Sequence, residues 1–147
     1  METRSVEEVR ARLYAVARDP NGDPAEAALW VAAEHYPELA VERSLAYLDE
    51  LADSVDRSRE LIESDDDGRQ AAVAEIFGHR GFRGNEQDYF DARNSFLNDV
   101  IDRRLGIPIT LAVVYVTAAR DLGQPAAGVN APGHFLVRHG EAILDPF

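Results

Sequence analysis

Cysteine is absent from this chain of 147 residues. Its absence excludes disulfides, metal sites built on thiolates and catalysis by a cysteine nucleophile within these residues. Lysine is absent too, so all 15 basic residues are arginines. A phosphate-binding loop that relies on a lysine is therefore excluded for the glycine-rich stretch 78–85, where we predict a turn containing glycine at positive φ.

Long hydrophobic runs are also missing. No apolar stretch approaches the roughly 20 residues that cross a bilayer, and the N-terminus has no apolar segment of the kind found in secretory signals. We therefore expect a cytoplasmic protein that is not embedded in a membrane.

Positive charge is scarce relative to negative charge, and the net charge is −12. Residues 1–75 carry 19 acidic residues and 8 arginines, a net charge of −11, whereas residues 76–147 carry 8 acidic residues and 7 arginines, a net charge of −1. This balance argues against nucleic acid and anionic membranes as partners. We interpret the acidic half as a solvated surface, with a basic partner as the alternative.

The first half of the chain has the periodicity of amphipathic helices. Val6, Val9, Leu13 and Val16 recur at three- and four-residue steps and predict a helix that ends at the turn 19–24. Further helices are predicted over 25–35, from about 41 to 62 and from about 69 to 77, with a loop at 64–68. The aspartates of that loop do not alternate with other residues as calcium ligands do, so we predict no metal site there.

The second half changes from helices to strands. A short helix is predicted over 94–104 and a buried helix over 108–122, since the latter is apolar nearly all round. The short apolar segments 126–129, 133–138 and 142–144 predict an antiparallel meander. The predicted fold class is α+β, as a single domain over residues 1–147: helices at 1–78, then a core at 79–147 in which a buried helix packs on a small antiparallel sheet.

Six segments resemble, in their order and spacing, the SirB-type transglutaminase-like proteins. The resemblance implies a papain-like fold, and such proteins usually carry tetratricopeptide-like helices after the core, which we expect to be absent here. It covers nearly the whole chain and is densest from residue 81 onward. The matching segments are Tyr36-Pro37-Glu38-Leu39, Gly81-Phe82-Arg83-Gly84-Asn85, the run 89–100, the run 103–111, the run 132–138 and Leu144-Asp145-Pro146-Phe147.

The resemblance also assigns catalytic positions. In active transglutaminase-like proteins a cysteine at the start of the buried helix attacks the substrate, assisted by a histidine on one strand and an aspartate on the next. By resemblance, His134 and Asp145 occupy the histidine and aspartate positions, and Pro108 occupies that of the cysteine. Proline offers no nucleophile, although its ring suits a first helical turn. The resemblance thus implies a pseudoenzyme, and we expect no cofactor.

A ligand cleft is expected at the start of the helix 108–122, bordered by His134, Asp145, Asn98 and Pro108. Thr110 lies near it, but two residues turn a side chain by about 200° around a helix. We therefore favour a packing role for Thr110 over a role as nucleophile. Asn98, like Asn94 and Ser95, can also cap the short helix before the cleft by accepting from a free backbone N–H of its first turn.

Arginines add charge beside this cleft. Arg93, Arg103 and Arg104 form the densest positive cluster and could bind a carboxylate or phosphate. Internal salt bridges with Asp91, Asp99 and Asp102 are the favoured alternative. His139 is predicted to lie in a turn exposed to solvent, and together with His134 it is poorly placed for zinc.

Three functions remain open at this point. We favour a non-catalytic binding or regulatory module that recognises a protein, a peptide or a small polar ligand. The first alternative is a hydrolase or acyl transferase in which His134 and Asp145 activate water or Thr110. The second is a structural scaffold whose acidic helices contact other proteins. Fold similarity alone does not decide among them.

Overall fold

The computed structural model describes residues 3–57 and 62–147, and it confirms the α+β fold class. A π-helical segment, Ala74–His79, continues the fourth helix, and a 3-10 turn, Ala92–Asn94, precedes the fifth. The helices are α1 (Val6–Arg18), α2 (Pro24–His35), α3 (Val41–Asp56), α4 (Asp65–Val73), α5 (Leu97–Arg103) and α6 (Pro108–Asp121); the strands are β1 (Arg83–Gly84), β2 (Leu105–Gly106), β3 (Ala126–Ala131), β4 (His134–His139) and β5 (Ala142–Leu144).

The first two helices begin where side chains can satisfy their free backbone N–H groups. Ser5 Oγ accepts from the backbone N–H of Glu8 at 3.2 Å, while the Glu8 carboxylate accepts from the Ser5 N–H at 2.9 Å, which forms a capping box. Asp23 accepts from the Ala25 N–H at 2.8 Å at the start of α2. Both helices agree with the sequence prediction to within about a residue.

The loop predicted at 64–68 is wrong, because α4 already begins at Asp65. Ser64 caps the helix by accepting from the Asp67 N–H at 3.2 Å, and the aspartates occupy the first turn, where the helix dipole favours negative charge. Gly68 lies inside this helix and leaves room for the Gln124 side chain, since a Cβ at this position would come within 2.2 Å of it.

Two predicted helix boundaries also differ from the structure. The third helix was expected to reach Ile62, but α3 ends at Asp56 and Ile62 is not helical; the predicted helical residues 58–61 lie outside the described residues. The helix predicted over 94–104 is shorter, since α5 begins only at Leu97. It ends at Arg103, and the C-cap residue Arg104 has a left-handed backbone with φ 62°.

Helix α6 is the centre of the core. It contacts α2, α3 and α4 as well as β3 and β4, and its residues 110–112 and 114–119 are all buried. Each fully buried Leu or Val side chain contributes roughly 1.5–3 kcal/mol to folding. Although α6 is apolar on all sides, no helix within the ranges 3–57 and 62–147 is long and apolar enough to cross a membrane.

The sheet consists of β3, β4 and β5 in antiparallel order. Strand β3 continues to Ala131, two residues beyond its predicted end. A separate parallel pair joins β1 to β2, which the sequence did not predict; Arg83 pairs with Leu105. This pair connects the glycine-rich segment to the chain just before α6. Gly81 there has φ +73°, as the predicted turn requires.

Candidate functional site

The start of α6 is fastened to the 3-10 turn by one hydroxyl group. Thr110 Oγ1 donates to the backbone oxygen of Asn94 at 2.8 Å and accepts from the Ile107 N–H at 3.1 Å. Only 6% of Thr110 is exposed. Its hydroxyl is therefore fully engaged in positioning the helix start, and Thr110 does not line the groove beside Pro108.

An open groove of about 270 Å³ lies between this helix start and the β3–β4 hairpin. Pro108 and His134 both line it, so the structure brings these two predicted site residues to one place. The lining of the groove is mixed, because apolar side chains of the α6 start and of β4 lie beside polar ones. Its other lining residues are Tyr89, Ile107, Ile109, Asn130, Ala131, Gly133 and Phe135.

His134 and Asp145 come together through the register of the sheet. Val137 pairs with Leu144, so Asp145 follows at the position opposite Leu136, on the same face as His134. The imidazole Nδ1 lies 3.9 Å from the Asp145 carboxylate, and 63% and 50% of the two side chains are exposed. This distance exceeds a hydrogen bond, and Asp145 instead accepts from the Phe147 N–H at 3.0 Å.

Asn94 has a structural role in the loop before α5. It is completely buried, and its Nδ2 donates to the backbone oxygens of Asp88 and Tyr89 at 2.8 and 3.0 Å. Its Oδ1 accepts from Asn85 Nδ2 at 3.0 Å. Because each of its polar atoms has a partner, Asn94 holds the loop rather than facing the groove.

Arg93 forms one of the predicted internal salt bridges. Its guanidinium lies 2.6 Å from the Asp91 carboxylate, and Arg103 approaches the same carboxylate at 3.3 Å. Hydrogen bonds from Arg93 lower the pKa of Asp91 to about 2. Asp99 has a different partner from the one predicted, because it accepts from the Tyr36 hydroxyl at 2.6 Å.

Asn98 lies apart from the groove. It lines a second pocket, between the start of α3 and α5, whose lining also includes Arg104. The predicted site residues thus separate into three places. Pro108 and His134 line the groove, with Asp145 next to His134. Thr110 and Asn94 are buried and fix the start of α6. Arg93 and Asn98 lie away from the groove.

His139 contradicts the sequence prediction of a solvated turn residue, because it lies in β4 with only 2% of its surface exposed. Its Nε2 lies 3.0 Å from Gln124 Oε1, which can only accept, so Nε2 carries the proton and Nδ1 accepts from the Tyr115 hydroxyl at 2.8 Å. Burial lowers the pKa of His139 and raises that of Tyr115. The alternation that buries Val137 on the same strand was the sequence signal for this orientation.

The groove residues Tyr89, Asn130 and Phe135 were missed by sequence reasoning, because they reach the α6 start only through the fold. As to metals, no three His, Asp or Glu side chains converge on a metal site anywhere in the described ranges.

Comparison with known proteins places this arrangement in a family. The sequence profile of the Transglutaminase-like superfamily matches residues 42–147. A UPF0162 protein of Pseudomonas aeruginosa is 37% identical over 141 residues, covering 93% of this chain and 51% of the relative. A UPF0162 protein of Xylella fastidiosa is 51% identical over 76 residues, covering 49% of this chain and 27% of the relative.

A eukaryotic protein is also similar to part of the chain. F-box only protein 21 of Homo sapiens is 49% identical over 63 residues, covering 43% of this chain and 10% of that protein. The chain therefore spans about half or less of the length of each of these relatives. No solved structure matches it significantly.

Proposed function

We propose that this chain, which belongs to the Transglutaminase-like superfamily, is a non-catalytic binding or regulatory domain whose ligand occupies the groove at the start of α6. The ligand is a peptide or a small polar molecule. The observation that carries the proposal is that Pro108 and His134 line one groove. Proline supplies no nucleophile at the position where, by resemblance, active members have cysteine.

The finer assignment is to the SirB-type branch, with residues 1–147 forming one domain in the cytoplasm. The order of the six matching segments supports this assignment.

The groove suits one side chain of a peptide and its flanking backbone. Its volume of about 270 Å³ lies below the roughly 300–1,000 Å³ typical of small-molecule sites. Ile107, Ile109 and Phe135 offer apolar contact for methylene groups, while His134 and Asn130 offer hydrogen bonds. A glutamine side chain combines both requirements, so a glutaminyl peptide is a suitable probe.

An enzymatic alternative uses His134 and Asp145 to activate water for hydrolysis or acyl transfer. Their separation of 3.9 Å is the observation in its favour. Thr110 is a less suitable nucleophile, because its hydroxyl already donates to Asn94. The scaffold alternative is supported by a cluster of aspartates near the end of α6, which forms an acidic surface. Burial, followed by the charges of Asp49, Asp23 and Asp53, raises the pKa of Asp121 there.

The test is a titration of the ¹⁵N-labelled chain with acetyl-Ala-Gln-Gly-amide, followed by NMR, with ammonia release measured in parallel. We expect saturable shifts at Asn130, Gly133 and His134 and no ammonia. His134→Gln should weaken binding roughly fivefold, the effect of losing one hydrogen bond of about 1 kcal/mol. His79→Gln is the matched control, since His79 is exposed and lies outside the groove.

Two results would contradict the proposal. Groove resonances that do not move at saturating peptide would remove this site as the binding site. Ammonia release that disappears in His134→Gln but persists in His79→Gln would establish the enzymatic alternative instead.

A further inference from the structure

A second pocket, of about 510 Å³, opens between the start of α3 and α5. It shares no lining residue with the groove at α6. We infer that it binds a carboxylate, such as that of a peptide C-terminus or of an N-acyl amino acid. The lining residues that carry the inference are Arg43, Ser44, Tyr47, Asn98, Ile101 and Arg104.

Arg104 has a backbone conformation that glycine would adopt more easily. It is the C-cap residue of α5, with φ 62°, and in the described residues every other positive φ belongs to a glycine. A left-handed residue after a helix is usually glycine, because it has no Cβ to clash. The strain at Arg104 thus indicates that its side chain is needed.

The Arg104 side chain is held rigidly at the pocket. Its guanidinium lies 4.6 Å from the centre of the Tyr47 ring and 4.8 Å from that of Phe82, and it donates to the Ile101 carbonyl. Both rings attract the cation through their π faces. A guanidinium has five N–H donors, so most of those on Arg104 stay available to a ligand.

The pocket is set up for an anion. Neither Arg43 nor Arg104 forms an ion pair with a carboxylate of the described residues, although the chain has a net charge of −12. The positive end of α3, a helix of 16 residues, also faces this pocket, and its N-cap residue Ala40 has no side-chain acceptor. These charges favour a carboxylate, which can accept two hydrogen bonds from a guanidinium.

Tyr47 and Asn98 also line the pocket, but the Tyr47 hydroxyl and Asn98 Oδ1 are enclosed by protein atoms and do not open onto it. The hydrogen bonds to a bound carboxylate therefore come from the guanidinium groups of Arg43 and Arg104.

The rest of the lining restricts the ligand further. Glu38 and Asp102 are exposed at the pocket edge, and their charges disfavour anions with more than one negative charge, such as phosphate. Leu39 and Ile101 supply an apolar surface for a side chain. The volume lies within the range of small-molecule sites, so the pocket accommodates a terminal residue with its side chain.

The inference is tested by calorimetric titration of the 147-residue chain with N-acetyl-leucine and with a tetrapeptide ending in a free leucine carboxylate. At least one should bind, and tighter binding of the tetrapeptide would identify the peptide terminus as the natural source. The C-terminally amidated forms should bind at least roughly tenfold more weakly, because the charge-assisted hydrogen bonds are lost. Equal binding of the amidated forms, or no binding of either carboxylate at 10 mM or so, overturns the inference.

Variants locate the site. Arg104→Gly keeps the left-handed backbone and should weaken binding at least roughly tenfold. Tyr47→Phe removes only the enclosed hydroxyl, keeps the ring under the guanidinium and should leave binding unchanged. Arg138→Gln is the matched control, because Arg138 is exposed on β4 outside this pocket. Binding that is unaffected by Arg104→Gly, or weakened as much by Arg138→Gln, overturns the inference.

Discussion

Pro108 occupies the first position of α6, where proline is favourable for reasons unrelated to catalysis. Its ring holds φ near the helical value, and the N–H that it lacks would have no helical partner there. The same position is close to the positive end of the helix dipole and shares a groove with His134. A thiol at this position would therefore meet two groups that stabilise a thiolate.

Pro108→Cys tests whether this environment has been retained. The substitution introduces the only cysteine in the chain, so alkylation by iodoacetamide reports on one site. We expect a thiol pKa below the ordinary value of about 8.5 and alkylation at pH 7 roughly tenfold faster than in Ile109→Cys. Ile109 is a suitable control, because it is the next residue and 47% exposed.

His134→Gln in the Pro108→Cys background should return the thiol pKa towards its ordinary value. If the thiols introduced at 108 and 109 react at the same rate and with the same pH dependence, the groove has not retained the electrostatics of an active site.

Helix α6 illustrates how one element depends on another for its beginning. It has no side-chain acceptor at its N-cap, Ile107, and instead the Thr110 hydroxyl accepts from the Ile107 N–H while donating to Asn94. Further along the same helix, the hydroxyl of Thr117 is buried without a partner. The two threonines are similarly buried, at 6% and 4% exposure, but their hydroxyl groups have opposite energetic roles.

Threonine-to-valine substitutions separate these roles, because valine has nearly the same shape without the hydroxyl. Thr110→Val leaves the Asn94 carbonyl and the Ile107 N–H unpaired and should lower the free energy of unfolding by roughly 1–3 kcal/mol. Thr117→Val removes an unsatisfied polar atom and should be neutral or stabilising. Urea denaturation of both variants gives the comparison, and equal destabilisation would contradict it.

Local sequence was informative about elements where the pattern is long or the end signal is strong. The steps of Val6 to Val16 predicted α1, and the apolar stretch after Pro108 predicted α6. The start of α4 was missed because Ser64 and the following aspartates suit a loop and an N-cap equally well. The β1–β2 pair was missed because two residues carry no periodicity.

At the scale of the whole molecule, His139 links the sheet to the helical core. It joins β4 to Tyr115 in α6 and to Gln124 in the connection between α6 and β3. Around it lie Asp65, Asp66 and Arg69, from α4 and its start. Burial is the largest influence on the pKa of His139 and lowers it below the ordinary value of 6.5, so folding favours the neutral ring.

This linkage predicts how stability depends on pH. Below about pH 6.5 the unfolded chain gains a proton on His139 that the folded chain resists, so stability falls as the pH falls, by at most about 1.4 kcal/mol per pH unit. Urea denaturation between pH 7.5 and 5.5 should show this slope in the wild type. His139→Gln should reduce it, whereas His134→Gln, a matched substitution at an exposed histidine, should leave it unchanged. A slope that survives His139→Gln would contradict the assignment.

Much of the fold could be derived from the residues alone. The apolar pattern of the buried helix and the alternation of the strands are local properties, and they indicated the α+β fold class. The roles assigned to Pro108 and His134 came from the family resemblance instead. The resemblance also implied that His134 and Asp145 lie close together, and the register of β4 and β5, which only the structure gives, brings them to one face at 3.9 Å.

Only the tertiary structure decided which side chains meet. Asn94 and Asn98 are four residues apart, yet one is buried behind the α6 start and the other lines the pocket beside α3. His139 finds its partner 24 residues away. The physical reason is that the sequence pattern indicates whether a helix or strand has a buried face, whereas the packing of distant elements determines what that face contacts.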